Sequence, residues 1–183
     1  MSSPPSLYER VLGDDFLRLD AAVQEFHRLQ GRIEMHGAVR TFAPQSILAR
    51  LIARGLGSPL QDAQGPIHFE LDAQSVVERW TRHFPARTMT SVLEFVDGAL
   101  VEKLGLARMQ FELRVLEDGR LSMRLSRLRF AGIPCPHWLM PHVIAQEHGI
   151  DNKFHFIVRA ALPWGAVVAQ YEGHLTVPDG VHR

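Results

Sequence analysis

Apolar and polar residues alternate with a period of two on both sides of a short turn in the middle of the chain. Apolar side chains occupy every second position from Met109 to Val115 and again from Leu121 to Leu125. The two runs are joined through Glu117-Asp118-Gly119, a sequence typical of hairpin turns. This pattern predicts two antiparallel strands, each with one buried face and one face in water.

The second strand of this hairpin changes phase at Ser126-Arg127. Beyond this point Leu128 and Phe130 face the same side as the alternating residues of Leu121 to Leu125. A shift of one residue inside a strand is typical of a β-bulge, and bulges bend strands where a sheet curves. We therefore expect a strongly curved sheet.

The same alternation recurs over most of the chain. Further strands are predicted over residues 31–40, 66–72, 76–84, 88–96, 99–104, 142–148, 153–161 and 166–177. The segment 133–141 carries Pro134, Pro136 and Pro141, so we expect it to leave the sheet as a rigid excursion.

Two regions show helical periodicity instead. Residues 7–30 predict two short helices or one broken helix ahead of the first strand. A further helix should begin near Pro44, between the first and second strands, and end at Gly55 and Gly57. The apolar face predicted for it consists of Ile47, Leu48, Leu51 and Ile52.

About ten strands in meander order predict a mainly β fold. An up-and-down antiparallel sheet removes its exposed edges most simply by closing into a barrel. We expect a calycin- or lipocalin-like barrel over residues 7–183 as a single domain, after a flexible tail at 1–6, with N-terminal helices and a lid helix across the barrel mouth. The alternative is an open curved sheet of the START-like type, which the lack of a long C-terminal amphipathic helix disfavours. Barrels wider than eight strands tend to leave room for a ligand.

Composition restricts the possible partners. The 183 residues include 20 basic and 20 acidic side chains, and this balance argues against a nucleic-acid-binding surface. No apolar run is long enough for a membrane span, and the N-terminus lacks the features of a secretory signal. The single cysteine, Cys135, excludes an internal disulfide. A soluble, cytoplasmic protein is the expectation.

The strand 76–84 departs from the regular pattern because charged residues share a face with aromatic ones. Trp80 and Phe84 alternate in phase with Glu78 and Arg82. One interpretation places all four inside the barrel, where Glu78 and Arg82 would pair and present donors to the polar end of a ligand, since buried charges persist when paired. The other places Trp80 and Phe84 at a rim with the charges half exposed.

Three more residues complete the predicted ligand-binding set. Phe111 and Tyr171 fall on the inward face by alternation, and His27 ends the N-terminal helical region, where it could contact the barrel wall. The outward phase of His36, His68, His155 and His174 predicts no metal site, and a haem-binding barrel would need an inward histidine that we cannot place. Cys135 beside His137 lacks the oriented base that a nucleophile needs. We expect no cofactor.

Several motifs together resemble a bacterial family of uncharacterised domains, DUF4166. They are Leu7-Tyr8-Glu9-Arg10-Val11-Leu12-Gly13 with Asp15-Phe16, Phe26-His27, Glu78-Arg79-Trp80-Thr81-Arg82 with Phe84, the hairpin at Glu117-Asp118-Gly119-Arg120-Leu121, and Pro136 with Trp138-Leu139-Pro141. The resemblance covers almost the whole chain. It implies no assigned activity, although members are also joined to NAD-dependent dehydrogenase-like modules, and we carry no oxidoreductase activity over from it.

The leading hypothesis is a non-catalytic barrel that holds a small, largely apolar ligand, with Trp80 and Arg82 near its polar end. The alternative is an accessory or protein-interaction domain for a dehydrogenase-like partner, using an exposed apolar patch around Trp138, Leu139 and Met140. An enzyme with Glu78 or His27 as acid or base is a third, less favoured hypothesis. A cavity with inward polar groups would support the first.

Overall fold

The computed structural model describes residues 4–178. The helices are α1 (Leu7–Leu12), a 3-10 turn at Gly13–Arg18, α2 (Ala21–Arg28), α3 (Ile47–Leu56) and a 3-10 turn at His137–Leu139. The strands are β1 (Gly31–Phe42), β2 (Ala63–Ala73), β3 (Val77–Phe84), β4 (Arg87–Val96), β5 (Ala99–Leu104), β6 (Ala107–Val115), β7 (Leu121–Phe130), β8 (Ile133–Pro134), β9 (His142–Ile150), β10 (Lys153–Ala161) and β11 (Val167–Thr176).

Ten of these strands form a closed antiparallel barrel. Neighbouring strands pair in chain order from β1 to β7, then β7 pairs with β9, and β11 pairs back with β1. The predicted barrel, its N-terminal helices and the helix between the first and second strands are confirmed, and the arrangement is consistent with the calycin group. The open-sheet alternative is wrong, because β11 pairs back with β1 and β7 pairs with β9 over Leu121–Arg124, which closes the ring of strands.

The central hairpin and its bulge are also confirmed. β6 and β7 pair through the predicted turn, with Gly119 at φ 82°. Gln110 pairs with Arg127 but Phe111 pairs with Leu125, so Ser126 is the extra residue. The excursion after β7 departs slightly from expectation, because Ile133–Pro134 folds back as a two-residue strand on Arg129–Phe130.

The N-terminal helices close one end of the barrel, which we call the closed end. Ser6 caps α1 by accepting from the Glu9 amide, while the Glu9 carboxylate accepts from the Ser6 amide. Asp20 then ties α2 to the strand connections, donating from its amide to the Gly119 carbonyl and accepting from the Gly149 amide. Of the predicted flexible tail, residues 1–3 lie outside the described part.

Helix α3 lies over the opposite end, which we call the mouth. Its packed side is formed by Ala49 and Ala53, which contact Leu162 and Val168 in a small cluster separate from the main core. The apolar face predicted for it is largely wrong: Ile47, Leu48 and Leu51 are exposed. The reason is that the alanines let the helix approach β11 closely, which turns the larger side chains outward.

Two glycines allow the barrel to close. A Cβ at Gly37 would lie 1.7 Å from the carbonyl oxygen of His174, and one at Gly173 would lie 2.3 Å from that of Ala38. Both positions are on the β1–β11 seam, where the strands approach too closely for any side chain. Within the described residues, no helix is long and apolar enough to cross a bilayer.

Candidate functional site

Strand β3 places its mixed charged and aromatic face inside the barrel. The exposed fractions of Glu78, Trp80, Arg82 and Phe84 are 3%, 6%, 8% and 6%. The interpretation that put these residues at a half-exposed rim is therefore wrong. Strand alternation explains the placement, since the four positions share one face and their neighbours point outward.

Glu78 is held by the neighbouring indole. The Nε1–H of Trp80 donates to Oε2 of Glu78 over 2.8 Å. Burial raises the pKa of the Glu78 carboxyl to about 7, although the Coulombic attraction of His27 and the indole hydrogen bond oppose the rise. The carboxyl is therefore partly protonated near neutral pH.

The expected pairing of Glu78 with Arg82 does not form. Four residues along a strand span roughly 13 Å, and Trp80 lies between the two side chains. Arg82 instead donates from Nη1 to the Ser91 hydroxyl at 3.1 Å, and its Nη2 lies 4.0 Å from Oε1 of Glu102. Its guanidinium also lies 4.9 Å from the ring centroid of Trp80, within cation–π range.

His27 reaches the interior from helix α2. Its Nε2 lies 2.6 Å from Oε2 of Glu147 on β9, and its ring stacks on Tyr8 with the centroids 3.5 Å apart. The other ring nitrogen, Nδ1, is buried and has no hydrogen-bond partner among the described residues. Burial raises the pKa of Tyr8 well above its ordinary value, with Glu147 as the next cause. His27, Glu147 and Tyr8 together form a polar layer near the closed end.

An apolar cavity of about 160 Å³ fills the remaining interior and extends toward the mouth. Of the predicted ligand-binding residues, Trp80, Arg82, Phe111 and Tyr171 line it. The other three are buried but are not among its lining residues: Glu78 and His27 belong to the polar interior described above, and the ring of Phe84 packs edge-on against Tyr171 with centroids 5.1 Å apart. Burial raises the pKa of Tyr171, so its hydroxyl stays protonated.

Sequence reasoning missed several polar residues of this interior. Glu102 and Glu147 both line the cavity, and Tyr8 contributes from α1. The sequence pattern could have placed the two carboxylates inside the barrel. Glu102 alternates in phase with the buried Leu100 and Leu104, and Glu147 alternates in phase with the buried Ala145. No periodicity could have placed Tyr8, because its position depends on how α1 closes the barrel.

The outer wall carries two rows of cross-strand histidines. His36, His68 and His83 are ring-stacked neighbours on β1, β2 and β3, and His174, His155 and His148 are on β11, β10 and β9. The outward direction of His36, His68, His155 and His174 is as predicted. However, ligand atoms of His68, Glu70 and His83 all lie within 4.8 Å of one another, a grouping that the alternation pattern alone did not reveal.

Comparison with known proteins identifies the family of the chain. No curated protein matches it. The family described as "Domain of unknown function (DUF4166)" matches residues 19–175, which include every strand of the barrel wall apart from the last residue of β11. The match covers most of the 183 residues, in agreement with the resemblance carried by the Glu78–Phe84 motif. The chain belongs to this family of domains of unknown function.

Proposed function

We propose that the protein binds a small, uncharged and largely apolar molecule in the barrel cavity. The observation that carries the proposal is the cavity itself, about 160 Å³ in volume, with a largely apolar lining interrupted by the side chains of Arg82, Glu102 and Glu147. Enclosed apolar pockets with a few convergent polar groups are typical ligand sites. An engineered protein cavity of roughly 150 Å³ holds a benzene molecule, so the expected ligand has about the size of a substituted benzene.

The charges around the cavity favour an uncharged ligand. Glu102 lies near Arg82, and Glu147 is hydrogen-bonded to His27, so each inward charge already has an opposite partner or a hydrogen-bond partner. An added carboxylate would meet two acidic side chains in a low-dielectric interior. A single uncharged hydrogen-bond acceptor, such as a carbonyl oxygen, could accept from Arg82 without being repelled by these acidic side chains.

A second candidate is the accessory role for an oxidoreductase-like partner. The observation in its favour is the exposed apolar surface of the excursion, where Trp138 is 78% and Leu139 is 38% exposed. This role would place function on the surface rather than in the cavity.

The proposal is tested with Trp80 as the reporter. The chain has three tryptophans, and replacing the exposed Trp138 and Trp164 by phenylalanine leaves only the cavity-lining indole. We expect acetophenone to change Trp80 fluorescence at lower concentration than toluene, and phenylacetate to have the weakest effect. The physical reason is that acetophenone adds one acceptor without adding charge.

Two matched variants show where the probe binds. Ala145→Leu fills the cavity from β9, whereas Ala38→Leu adds the same volume on the outer face of β1. In the Trp80-only background we expect Ala145→Leu to abolish the response and Ala38→Leu to keep it. Equal responses in both variants, or none with any probe, would contradict a cavity site. Native mass spectrometry of the purified protein would then show whether a small molecule accompanies it from the cell.

A further inference from the structure

The mouth of the barrel is surrounded by exposed apolar side chains. They lie on α3, on the β5–β6 and β10–β11 turns, and on the excursion together with the end of β7 that precedes it. This set, which we call the mouth rim, consists of Ile47, Leu48, Leu51, Leu106, Phe130, Ile133, Trp138, Leu139 and Trp164. The exposed fractions of Ile47, Trp138 and Ile133 reach 83%, 78% and 71%. At the closed end, by contrast, the exposed large apolar residues are Leu17, Val76 and Ile150.

Helix α3 shows why this surface is unusual. A surface helix normally directs its apolar residues to the core and polar residues to water. Here Ala49 and Ala53 pack on the barrel, Ile52 lines the cavity, and Leu48 and Leu51 remain exposed beside Arg50 and Arg54. An exposed apolar stripe flanked by arginines is typical of helices that lie in a membrane interface.

The charges at the mouth are mostly basic. The mouth connections and the two strand residues flanking each of them carry Arg50, Arg54, Arg87, Lys103, Arg108 and Arg129. Asp62 is the acidic residue there, and it accepts from the Ala43 amide. Of the basic residues only Lys103 forms an ion pair within the described part of the chain, with Glu94.

The closed end has the opposite character. Its connections carry nine acidic residues against four arginines, Arg10, Arg18, Arg28 and Arg120. The acidic residues are Glu9, Asp14, Asp15, Asp20, Glu25, Asp97, Glu117, Asp118 and Asp151. The chain is neutral as a whole, so the separation of charge between its ends gives the mouth a local positive potential.

We infer that the mouth rim docks on an anionic lipid surface. Apolar side chains including two tryptophans would enter the headgroup region. The exposed guanidinium groups of Arg50, Arg54, Arg108 and Arg129 would meet lipid phosphates and carboxylates. This inference deepens the proposed function, because docking would open the cavity toward a source of apolar molecules. A second copy of the chain is disfavoured by the basic residues of the mouth, since the like charges of two copies would face each other.

The test is co-sedimentation of the full chain with vesicles of phosphatidylcholine, with and without phosphatidylglycerol. We expect binding to the anionic vesicles and a blue shift of Trp164 and Trp138 fluorescence. Leu51→Ser should weaken binding roughly ten-fold or more, because the transfer of one leucine is lost. Arg50→Gln should weaken it about five-fold. Leu17→Ser is the matched control, because Leu17 is 68% exposed at the closed end and Leu51 is 62% exposed at the mouth.

Any of three results would overturn the inference. The first is equal binding of wild type, Leu51→Ser and Leu17→Ser, and the second is no binding to either kind of vesicle. The third is a concentration-dependent dimer that Leu51→Ser dissociates, which would assign the mouth rim to a second copy. The Trp80 titration without vesicles tests the cavity separately, so a failure of docking does not imply a failure of ligand binding.

An independent observation on the outer wall supports a second proposal. His68 and His83 are direct cross-strand partners, with ring centroids 5.1 Å apart and planes inclined by 15°. Glu70 lies on the same face, its Oε1 2.6 Å from Nε2 of His83. We propose that these three side chains bind a divalent transition-metal ion such as Zn²⁺ or Ni²⁺, for which two imidazoles and a carboxylate are a preferred donor set.

The surroundings favour metal binding by these atoms. Nδ1 of His83 lies 3.1 Å from the Thr88 hydroxyl, and donation to that oxygen turns the Nε2 lone pair toward Oε1 of Glu70. A cation bound by both atoms would relieve the repulsion between these two acceptors. The ligand atoms lie within 4.8 Å of one another, whereas two ligands of a tetrahedral metal with bonds of about 2.1 Å are roughly 3.4 Å apart. Metal binding therefore requires the most distant atoms to move closer and His83 Nε2 and Glu70 Oε1, 2.6 Å apart, to separate slightly. The partly exposed side chains can make this adjustment, and His36 stacks on the far side of His68.

Calorimetric titration of the untagged, chelator-treated chain with Zn²⁺ and Ni²⁺ tests the metal site. Removing a residue that only hydrogen-bonds to a metal ligand typically lowers metal affinity about ten-fold or more. His83→Gln and Glu70→Gln remove a ligand itself, so each should lower the affinity by more than this. His155→Gln, in the second histidine row, should leave the affinity unchanged. If His83→Gln binds as wild type does, or if His155→Gln shows the loss instead, the assignment is wrong.

Discussion

Replacing Glu78 by glutamine should make the protein more stable at alkaline pH and leave its stability at acidic pH unchanged. The carboxyl is 3% exposed, and burial raises its pKa from 4.5 to about 7. Glutamine keeps an oxygen that can accept the Trp80 indole hydrogen bond but carries no charge to desolvate.

The direction and size of this stability difference follow from the pKa of the Glu78 carboxyl in the unfolded and the folded chain. Below about pH 4.5 the carboxyl is protonated in both the folded and the unfolded chain, so the ionisation costs nothing. Between that value and about 7 the unfolded chain ionises first, and the free energy of unfolding falls as pH rises. At about 1.4 kcal/mol per pH unit, the total loss is roughly 3 kcal/mol, complete above pH 7.

Urea unfolding at a series of pH values from 4 to 9, followed by far-ultraviolet circular dichroism, measures this difference. We expect Glu78→Gln to match wild type near pH 4 and to exceed it by roughly 3 kcal/mol near pH 8. Glu112→Gln is the control, since that side chain is 64% exposed on the outer face of β6. A constant difference between Glu78→Gln and wild type across the range would refute the reasoning.

Three further expectations concern the barrel frame. Gly37→Ala should destabilise the fold by about 1–3 kcal/mol in urea unfolding, because its Cβ would meet the His174 carbonyl. Gly55→Ala should instead stabilise α3 by about 0.5–1 kcal/mol, because a Cβ at this helical position meets open space. His27→Ala should cost about 3 kcal/mol or more in the same assay, since it leaves the Glu147 carboxylate buried without its partner. In hydrogen exchange, the amides of α3 should exchange faster than those of α2, and slower exchange in α3 would count against its weak attachment.

The curvature of the sheet could be predicted because it is local. The alternation of β6 and β7 sets their register, and a single extra residue at Ser126 bends the strand. Closure follows from the strand count, since a long meander leaves two edges that must be paired or covered. The need for glycine at the β1–β11 seam could not be predicted, because it arises from the close approach of a strand more than a hundred residues away in the chain.

The placement of inward residues could also be predicted, but their partners could not. Alternation put Glu78 and Arg82 on one face, which is correct, but it suggested that they pair. Residues four apart along one strand are too distant to form a pair. The charge pairs inside this barrel instead join side chains of different strands, or of a strand and a helix. Arg82 approaches Glu102 two strands away, and His27 meets Glu147 from a helix. Period-two patterns carry no information about such contacts.

The two ends of the barrel differ in the strength of their closure, which bears on how a ligand would enter. At the closed end Phe26 and His27 are 1% exposed, and Phe26 stacks on Phe154 with ring centroids 3.9 Å apart. Opening that end would expose these rings and break the hydrogen bond to Glu147. At the mouth, Ala49 and Ala53 of α3 pack on Leu162 and Val168 with Ile52 and Leu56 half-buried beside them. The carbonyls of Arg54 and Gly57 accept from Arg87. Displacing α3 exposes alanines and half-buried aliphatic side chains rather than stacked aromatic rings, so we expect the mouth to be the lower-energy route. The same helix carries Leu48 and Leu51 outward, so a lipid surface that receives them would offset the free energy of separating α3 from the barrel.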